Sequence, residues 1–469
     1  MPRRQKENKA LISKTYVSGI ILAINRGEGS MAKKYLLNVY GCQMNERDAE
    51  IIAGYLEKLG YRETSRIEEA DFIALNTCAV RQKAEEKVYG KLGKLKKLKE
   101  QKPELMLAVA GCMAQQPGVA EKIKSRFPFV DLIIGTHNLH EFPRLVEEAA
   151  FSRETVLDVW EQAGSIQEFP QGKRKHPVKA WVSISYGCDN YCSYCIVPYV
   201  RGRERSRKQE NIINEVKGLV GSGYKEITLL GQNVNSYGKD LGLPDSFPEL
   251  LLSLEKIAGL ERVRYMTSHP RDFSANLIEV LRIARKVCEH VHLPVQAGSD
   301  RILKAMNRGY TGRDYLDLVK RIRAAVPGVS LTTDIIVGFP GESEEDFQQT
   351  LDLIEAVRFD AAYTFKYSPR RGTPAALLTD QVADPIKRER LAMLLEKQNL
   401  ISREINEKLV GKSLEVLVEG KNDKYGGKLF GRTRTNKIVN FSGEDALIGS
   451  MINVKITEAQ TWSLTGEIE

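Results

Sequence analysis

A group of three cysteines in the middle of the chain constrains its chemistry more than any other feature. An alternating apolar run over residues 181–186 ends at Gly187, and Cys188, Cys192 and Cys195 follow at once. This C-x3-C-x2-C loop can present three thiolates to an iron–sulfur cluster, which normally has four cysteine ligands. One iron would then keep an open coordination position, as catalytic metal sites do. A zinc knuckle is the alternative, but zinc sites favour C-x2-C pairs in a closed set of four.

The same loop has an aromatic residue, Tyr194, directly before its last cysteine. In this respect it resembles the hallmark motif of the radical S-adenosylmethionine (SAM) enzymes. The resemblance implies that Cys188, Cys192 and Cys195 are catalytic ligands of a [4Fe-4S] cluster. It also implies that SAM chelates the open iron, is cleaved to a 5′-deoxyadenosyl radical, and lies near Tyr194.

Three further cysteines recur at one position in successive strand–helix units. Cys42, Cys78 and Cys112 each come two residues after an apolar run, and a helical stretch follows. This alternation predicts a parallel sheet, in which ligands bind at the carboxyl ends of the strands. We therefore expect the three cysteines to converge and bind a second cluster with an open iron; unrelated core cysteines are the alternative. The predicted strands are Tyr35–Tyr40, Asp71–Asn76, Leu105–Ala110 and Asp131–Gly135.

Six strand-like runs alternate with helices in the central region, which predicts a partial (β/α)6 barrel. Polar and glycine-rich loops follow several of these strands, where barrel enzymes keep their sites. We expect these loops to cradle SAM, although ordinary turns have the same composition. The predicted strands are Val182–Tyr186, Glu226–Leu230, Arg262–Thr267, Val291–Val295, Ser330–Val337 and Ala361–Tyr367. The predicted SAM-binding residues are Gln232, Asn233, Gln296, Gly338 and Gly341.

The last sixty or so residues change to short strands with glycine turns, which predicts a small antiparallel β-barrel. Basic residues dominate over 421–437, and a second basic run at 201–208 follows the cysteine loop. Such surfaces suit an RNA backbone, while a solubilising strand edge or a solvated loop is the alternative. The predicted RNA-binding residues are Arg203, Lys428, Arg432, Arg434 and Lys437.

Composition sets the wider class of protein. The formal net charge of +9 favours an anionic partner. Seven cysteines, an odd number, argue against a secreted disulfide scaffold. No apolar stretch reaches the ~18–20 residues that span a bilayer, so we expect a cytoplasmic protein with no membrane partner. The predicted divisions are an extension (1–32, with Met31 as a candidate start), an α/β domain (33–150), a linker (151–173), the barrel core (174–405) and the terminal barrel (406–469).

The whole arrangement resembles the radical methylthiotransferases, which join an N-terminal methylthiotransferase domain, a radical SAM core and a TRAM domain. Tyr40–Asn45, Gly431–Thr433 and Val439–Phe441 resemble the tRNA branch that modifies N6-dimethylallyladenosine.

The resemblance implies a transferase that adds a methylthio group at C2 of adenine 37, next to the anticodon. It implies two [4Fe-4S] clusters, SAM, a tRNA anticodon stem-loop as substrate, proteins that donate sulfur and electrons, and a monomer. Action on N6-threonylcarbamoyladenosine or on a ribosomal protein is the alternative within the family. A non-enzymatic iron–sulfur RNA-binding protein is the alternative from another class.

Overall fold

The computed structural model describes residues 32–80, 82–169, 174–243, 245–423 and 426–469. The candidate start at Met31 and nearly all of the predicted extension therefore lie outside the described residues, as does the end of the predicted linker. None of the helices within these ranges combines the length and the apolar composition that a membrane span requires.

The amino-terminal domain is a parallel sheet of six strands with helices on both faces, as predicted. Its strands are Lys34–Tyr40 (β1), Arg62–Glu63 (β2), Phe72–Thr77 (β3), Met106–Ala110 (β4), Leu132–Ile134 (β5) and Val156–Asp158 (β6). Its helices are Gln43–Lys58 (α1), Gln82–Gln101 (α2), Cys112–Gln115 (α3), Val119–Arg126 (α4) and Phe142–Phe151 (α5). The strand order is β2-β1-β3-β4-β5-β6. Strands β3 and β4 are buried at every position because helices cover both faces.

Two short edge strands of this sheet escaped the sequence prediction. Strand β2 has two residues and no apolar run, and β6 lies within the predicted linker. Ile134 pairs with Asp158, so the sheet continues past the domain boundary predicted at residue 150. An edge strand needs only one paired side, which explains why a short, half-polar segment suffices.

The central domain is the predicted partial (β/α)6 barrel. Its six parallel strands follow one another in chain order from β7 to β14, with β8 and β9 forming a separate antiparallel pair. The strands are Lys179–Ser183 (β7), Ser185–Tyr186 (β8), Arg205–Ser206 (β9), Glu226–Leu230 (β10), Arg262–Tyr265 (β11), His290–His292 (β12), Ser330–Val337 (β13) and Ala361–Lys366 (β14). The helices are Val197–Arg201 (α6), Gln209–Gly221 (α7), Ser246–Glu255 (α8), Ala275–Ile283 (α9), Asp300–Ala305 (α10), Gly312–Ala325 (α11), Glu344–Val357 (α12) and Asp384–Glu407 (α13).

The carboxyl-terminal domain is a closed five-stranded barrel in the order β15-β16-β17-β19-β18. Its strands are Ser413–Asn422 (β15), Lys428–Thr433 (β16), Ile438–Phe441 (β17), Met451–Ala459 (β18) and Leu464–Ile468 (β19). Four of the five pairings are antiparallel, and β17 pairs with β19 in parallel. The predicted barrel is thus confirmed, and β16 and β19 complete it.

A buried ion network joins the amino-terminal domain to the core. Glu215 of α7 accepts from Arg47 at 3.1 Å, Arg174 at 2.5 Å and Arg207 at 2.7 Å. Glu50 of α1 pairs with Arg174 at 2.9 Å, so the network crosses between the domains. Every one of these side chains is at most 7% exposed. The network therefore fixes how α1 sits against the barrel.

We expect Glu215→Gln to destabilise the protein by about 3–5 kcal/mol, because it leaves buried guanidinium groups without a full counter-charge. Urea unfolding of both proteins at one pH measures the change. Asp317→Asn is the matched control: its partner Lys320 lies 3.4 Å away, and the Asp317 side chain is 56% exposed. This control should cost at most about 1 kcal/mol. Equal losses in the two variants would contradict a stabilising role for the network.

Candidate active site

The central cysteine loop is closed at its base by the β8–β9 pair. Ser185 pairs with Ser206 and Tyr186 with Arg205, so residues 187–204 form one loop at the carboxyl end of β7. Gly187, with φ of 77°, is required there, since a Cβ atom would collide with the carbonyl oxygens of residues 202 and 203. The amide of Cys188 donates to Gly202 at 3.2 Å. The strand pair thus holds the three thiols at the barrel mouth.

Burial changes the pKa of two thiols in this loop. It raises the pKa of Cys188 to about 11 and that of Cys195 to about 12. The Arg308 guanidinium donates to the sulfur of Cys192 at 3.3 Å and is itself 4% exposed. Tyr194 packs against the apolar cluster that contains Phe339. A buried positive charge beside three thiols favours an anionic group at this position.

The second cysteine group forms where the sequence places it, at one edge of the amino-terminal sheet. Tyr40 pairs with Thr77 and Asn76 with Ala110, so β1, β3 and β4 end level with one another. A hydrogen bond with Cys78 lowers the pKa of Cys42 to about 6, and the same contact raises the pKa of Cys78. Burial raises the pKa of Cys112, which also senses the charge of Cys42.

The two cysteine groups are neighbours. Cys112 packs in one apolar cluster with Ala79 and with Ile196, the residue after Cys195. Arg201, at the end of α6, donates to the Cys112 sulfur at 3.2 Å and to Asp48 at 2.6 Å. Residues of the central cysteine loop therefore contact Cys112 of the second group directly.

The donor sets fit iron–sulfur clusters. Among the described residues, no three His, Cys, Asp or Glu side chains surround a point suited to one metal ion. A cubane cluster makes a different demand, because each thiolate bonds a different iron and the thiols surround a cube. All six cysteines are free thiols, and a buried arginine donates to a sulfur in each group. Thiolate clusters are stabilised by such donors.

Unpartnered polar atoms line the barrel mouth. They follow β7, β10 and β11 and are Ser185 Oγ, Asn233 Oδ1, Ser268 Oγ and His269 Nε2. Leaving a buried polar group without a partner costs about 1–3 kcal/mol, so such atoms indicate a missing ligand. The ribose, amino and carboxylate groups of SAM are polar and could supply the partners that these atoms lack. Only Asn233 among them was predicted from the sequence.

The other predicted SAM contacts divide into two groups. Gln232 follows β10 and is half-buried. Gln296 follows β12 with φ of 73°, an uncommon backbone conformation that is enriched at functional sites. Gly338 and Gly341 require a correction: a Cβ atom there would collide with Lys387 and Asp380, so protein side chains already fill the space. The absence of a side chain at these two glycines therefore serves packing against the protein, and the Cβ side of neither is open to a cofactor.

The predicted RNA-binding residues also need a partial correction. Lys428 is exposed, and Arg203 is 79% exposed although it pairs with Asp189. Arg434 instead pairs with Glu289 at 2.7 Å, and Lys437 with Asp360 at 2.6 Å, both across the interface with the core. Arg432 lies 3.4 Å from Glu419.

Arg434 and Lys437 therefore hold the terminal barrel against the core. The basic surface that the terminal barrel exposes to solvent is therefore smaller than predicted. The sequence does not reveal which basic side chains pair with carboxylates of another domain.

Several site residues were missed from the sequence. Arg201 and the 5%-exposed Arg207 belong to a run interpreted as a phosphate-contacting loop, yet both are buried in ion pairs. Arg308 stands outside every motif. Arg370 donates to the carbonyl of Val80, close to Cys78, and so joins the loop after β14 to the second cysteine group. Only tertiary contacts identify these roles.

Each of the three domains matches a known protein family or domain. Residues 182–354 match the radical SAM superfamily, residues 34–135 match a family described as "Uncharacterized protein family UPF0004", and residues 407–468 match the TRAM domain. A radical SAM methyltransferase from Kitasatospora setae, solved with cobalamin and a [4Fe-4S] cluster, shares the fold at a TM-score of 0.53 and 14% identity, covering 74% of this chain and 77% of its own. The fold and site therefore define a radical SAM enzyme that uses SAM and an iron–sulfur cluster.

Relatives of high sequence identity indicate which kind of radical SAM enzyme this chain resembles. A protein of Acetivibrio thermocellus is 58% identical over 93% of this chain and 91% of its own length. One of Desulforamulus reducens is 57% identical over 93% and 96%. Both are named tRNA-2-methylthio-N(6)-dimethylallyladenosine synthase. The chain belongs to the radical SAM methylthiotransferase family, and it is an enzyme that transfers a sulfur-containing group.

We expect Asn233→Ala to weaken SAM binding about five- to tenfold, the value of one hydrogen bond of about 1 kcal/mol. Calorimetric titration of the anaerobically reconstituted protein with SAM measures this. Asn276→Ala is the control, because that exposed side chain bonds only Asp245 at the surface. Unchanged affinity in Asn233→Ala would place SAM elsewhere.

Proposed function

We propose that the chain adds a methylthio group at C2 of N6-dimethylallyladenosine 37 in tRNA, with one [4Fe-4S] cluster in each cysteine group. The supporting observation is the contact between the groups: Cys112 packs with Ile196 and bonds Arg201, so a sulfur site adjoins a radical site. The identity of 58% to a relative with this named activity supports the substrate.

Each group of residues has a separate role. Cys188, Cys192 and Cys195 would hold the cluster that, with SAM, supplies a radical able to break the non-acidic C2–H bond. Ser185, Asn233, Ser268 and His269 would bind the polar groups of SAM. Cys42, Cys78 and Cys112 would hold the second cluster, where the transferred sulfur collects.

Two further observations support these roles. Burial lowers the pKa of His269 to about 3, so this side chain stays neutral and polar at the SAM site. Arg370 and Val80 bridge the loop after β14 to the amino-terminal domain. The adenine must leave its stack to enter, which is how proteins usually reach bases of an RNA loop.

The partners follow from the reaction. The substrate is the tRNA anticodon stem-loop, and the exposed Lys428 and Arg203 are its expected contacts with the RNA backbone. Sulfur and electrons are consumed in each turnover, and separate proteins would deliver them. The enzyme acts as a monomer.

Replacing Cys42, Cys78 and Cys112 together by Ala should halve the iron content from about eight to about four per chain. The variant should still cleave SAM to 5′-deoxyadenosine under reducing conditions, yet form no methylthio product. Iron analysis and chromatography of nucleosides from the tRNA measure both. Cys288→Ala is the control, since this buried thiol lies outside both groups.

Three outcomes would contradict this assignment. Four irons in the unaltered protein would leave no second cluster. Thiolation that survives the triple replacement would remove the amino-terminal cysteines from the reaction. Absence of 5′-deoxyadenosine from the unaltered protein would instead favour a non-enzymatic RNA-binding protein.

Lys428→Ala and Lys437→Ala should separate RNA contact from domain packing. Lys428→Ala should weaken stem-loop binding and reduce the slope of log affinity against log salt by about 1. Lys437→Ala should leave that slope unchanged and lower the melting temperature, because it breaks the 2.6 Å pair with Asp360. A larger loss of salt dependence in Lys437→Ala than in Lys428→Ala would restore the original prediction.

A further inference from the structure

Each cysteine group contains one sulfur that accepts a hydrogen bond from a buried arginine. Arg308 Nη1 lies 3.3 Å from Cys192 Sγ, and Arg201 Nε lies 3.2 Å from Cys112 Sγ. The two arginines are 4% and 5% exposed. A guanidinium is always charged in proteins, so each group of thiols faces a fixed positive charge in a region of low dielectric constant.

The two arginines differ in how their charge is balanced. Arg201 forms a 2.6 Å ion pair with Asp48, so part of its charge at Cys112 is offset. Arg308 bonds the hydroxyl of Tyr310 at 3.0 Å and the carbonyl of Pro294 at 2.8 Å, and its guanidinium lies 5.4 Å from the Tyr310 ring centroid. Within the described part of the chain, the groups that act on Arg308 are tyrosines, the Cys192 sulfur and the Pro294 carbonyl, and no carboxylate is among them.

A buried charge without a counter-charge is costly unless an anion completes the site. Thiolates of a bound cluster would supply that anion at Cys192. The same charge acts on electron transfer: one-electron reduction makes a cluster more negative, and a nearby cation or a hydrogen bond to a ligand sulfur stabilises the reduced form.

We propose that Arg308 and Arg201 set the reduction potentials of the two clusters, and that Arg308 raises the potential of its cluster more because no carboxylate offsets its charge. The Arg201 half rests on the proposed second cluster, whereas the Arg308 half requires only the radical SAM cluster. Both arginines are positioning residues that act through cysteine sulfurs. The electron comes from a low-potential reductant such as dithionite, and each cluster takes up one electron.

The test is a potentiometric titration followed by electron paramagnetic resonance, on full-length reconstituted protein with dithionite as reductant. A parent that lacks Cys42, Cys78 and Cys112 reports the first cluster alone, and a parent that lacks Cys188, Cys192 and Cys195 reports the second. In the first parent, Arg308→Gln should lower the midpoint potential. In the second, Asp48→Asn should raise it, because Arg201 then acts without its counter-charge.

The opposite signs distinguish an effect of charge from a loss of packing, which gives no reason for the two potentials to move in opposite directions. Arg308→Lys keeps the charge and loses the planar fork, so it should give a potential between those of the parent and Arg308→Gln. Arg308→Lys also provides the test of the first half if Arg308→Gln fails to bind iron. Arg282→Gln, at an exposed ion pair with Glu279, should change neither potential.

An unchanged or raised potential in Arg308→Gln, with iron content equal to the parent, would overturn the first half. If that variant holds no iron, a potential in Arg308→Lys equal to or above the parent would do so. A potential in Asp48→Asn that is unchanged or lowered would overturn the second half. If the second parent binds no iron, the proposed two-cluster function fails together with the Arg201 half, while the Arg308 result stands independently.

Discussion

The buried ion network between α1 and α7 is the interaction on which the rest of the site depends. The cysteines of the second group lie at the edge of the amino-terminal sheet beside α1, whereas those of the first group lie in the central barrel. Only their domain interface brings them together. The charges in and beside it balance as four and four: Arg47, Arg174, Arg201 and Arg207 against Asp48, Glu50, Glu168 and Glu215.

Buried ion pairs are a costly way to join two domains, since apolar residues of similar volume often stabilise as well or better. They do impose one geometry, because each guanidinium fork accepts few arrangements of carboxylates. Arg201 shows the benefit: a single side chain bonds Asp48 of α1 and the sulfur of Cys112. We interpret the network as the contact that fixes the position of one cysteine group relative to the other. The loss of stability expected in Glu215→Gln tests how much the network contributes to folding.

Much of the fold could be predicted because buried parallel strands have apolar sequences and cysteines directly follow three of them. The strands Glu226–Leu230 and Ser330–Val337 were predicted to the residue. Strands β2 and β6 were missed because short edge strands carry little apolar signal. The six cysteines were predicted as ligands from the spacing of one group and from the position of the other group at the ends of strands.

The predictions that needed correction concern the partners of basic side chains and the space beside two glycines. Basic runs predict RNA contact equally well whether the cations face solvent or a carboxylate of another domain, so Arg434 and Lys437 were misplaced. Gly338 and Gly341 sit in a loop typical of cofactor cradles, but the helix that fills the space beside Gly338 is distant in sequence. Arg308 was invisible because its importance lies in a contact with Cys192, 116 positions away.

The most direct test of the central claim is the electron paramagnetic resonance spectrum of the fully reduced protein. If two clusters lie side by side across the interface, their spins interact. The spectrum should then differ from the sum of the spectra of the two triple-cysteine variants, each of which holds one cluster. A spectrum equal to that sum would mean that the clusters are far apart, and a spectrum of one cluster alone would remove the second; either result would contradict the account.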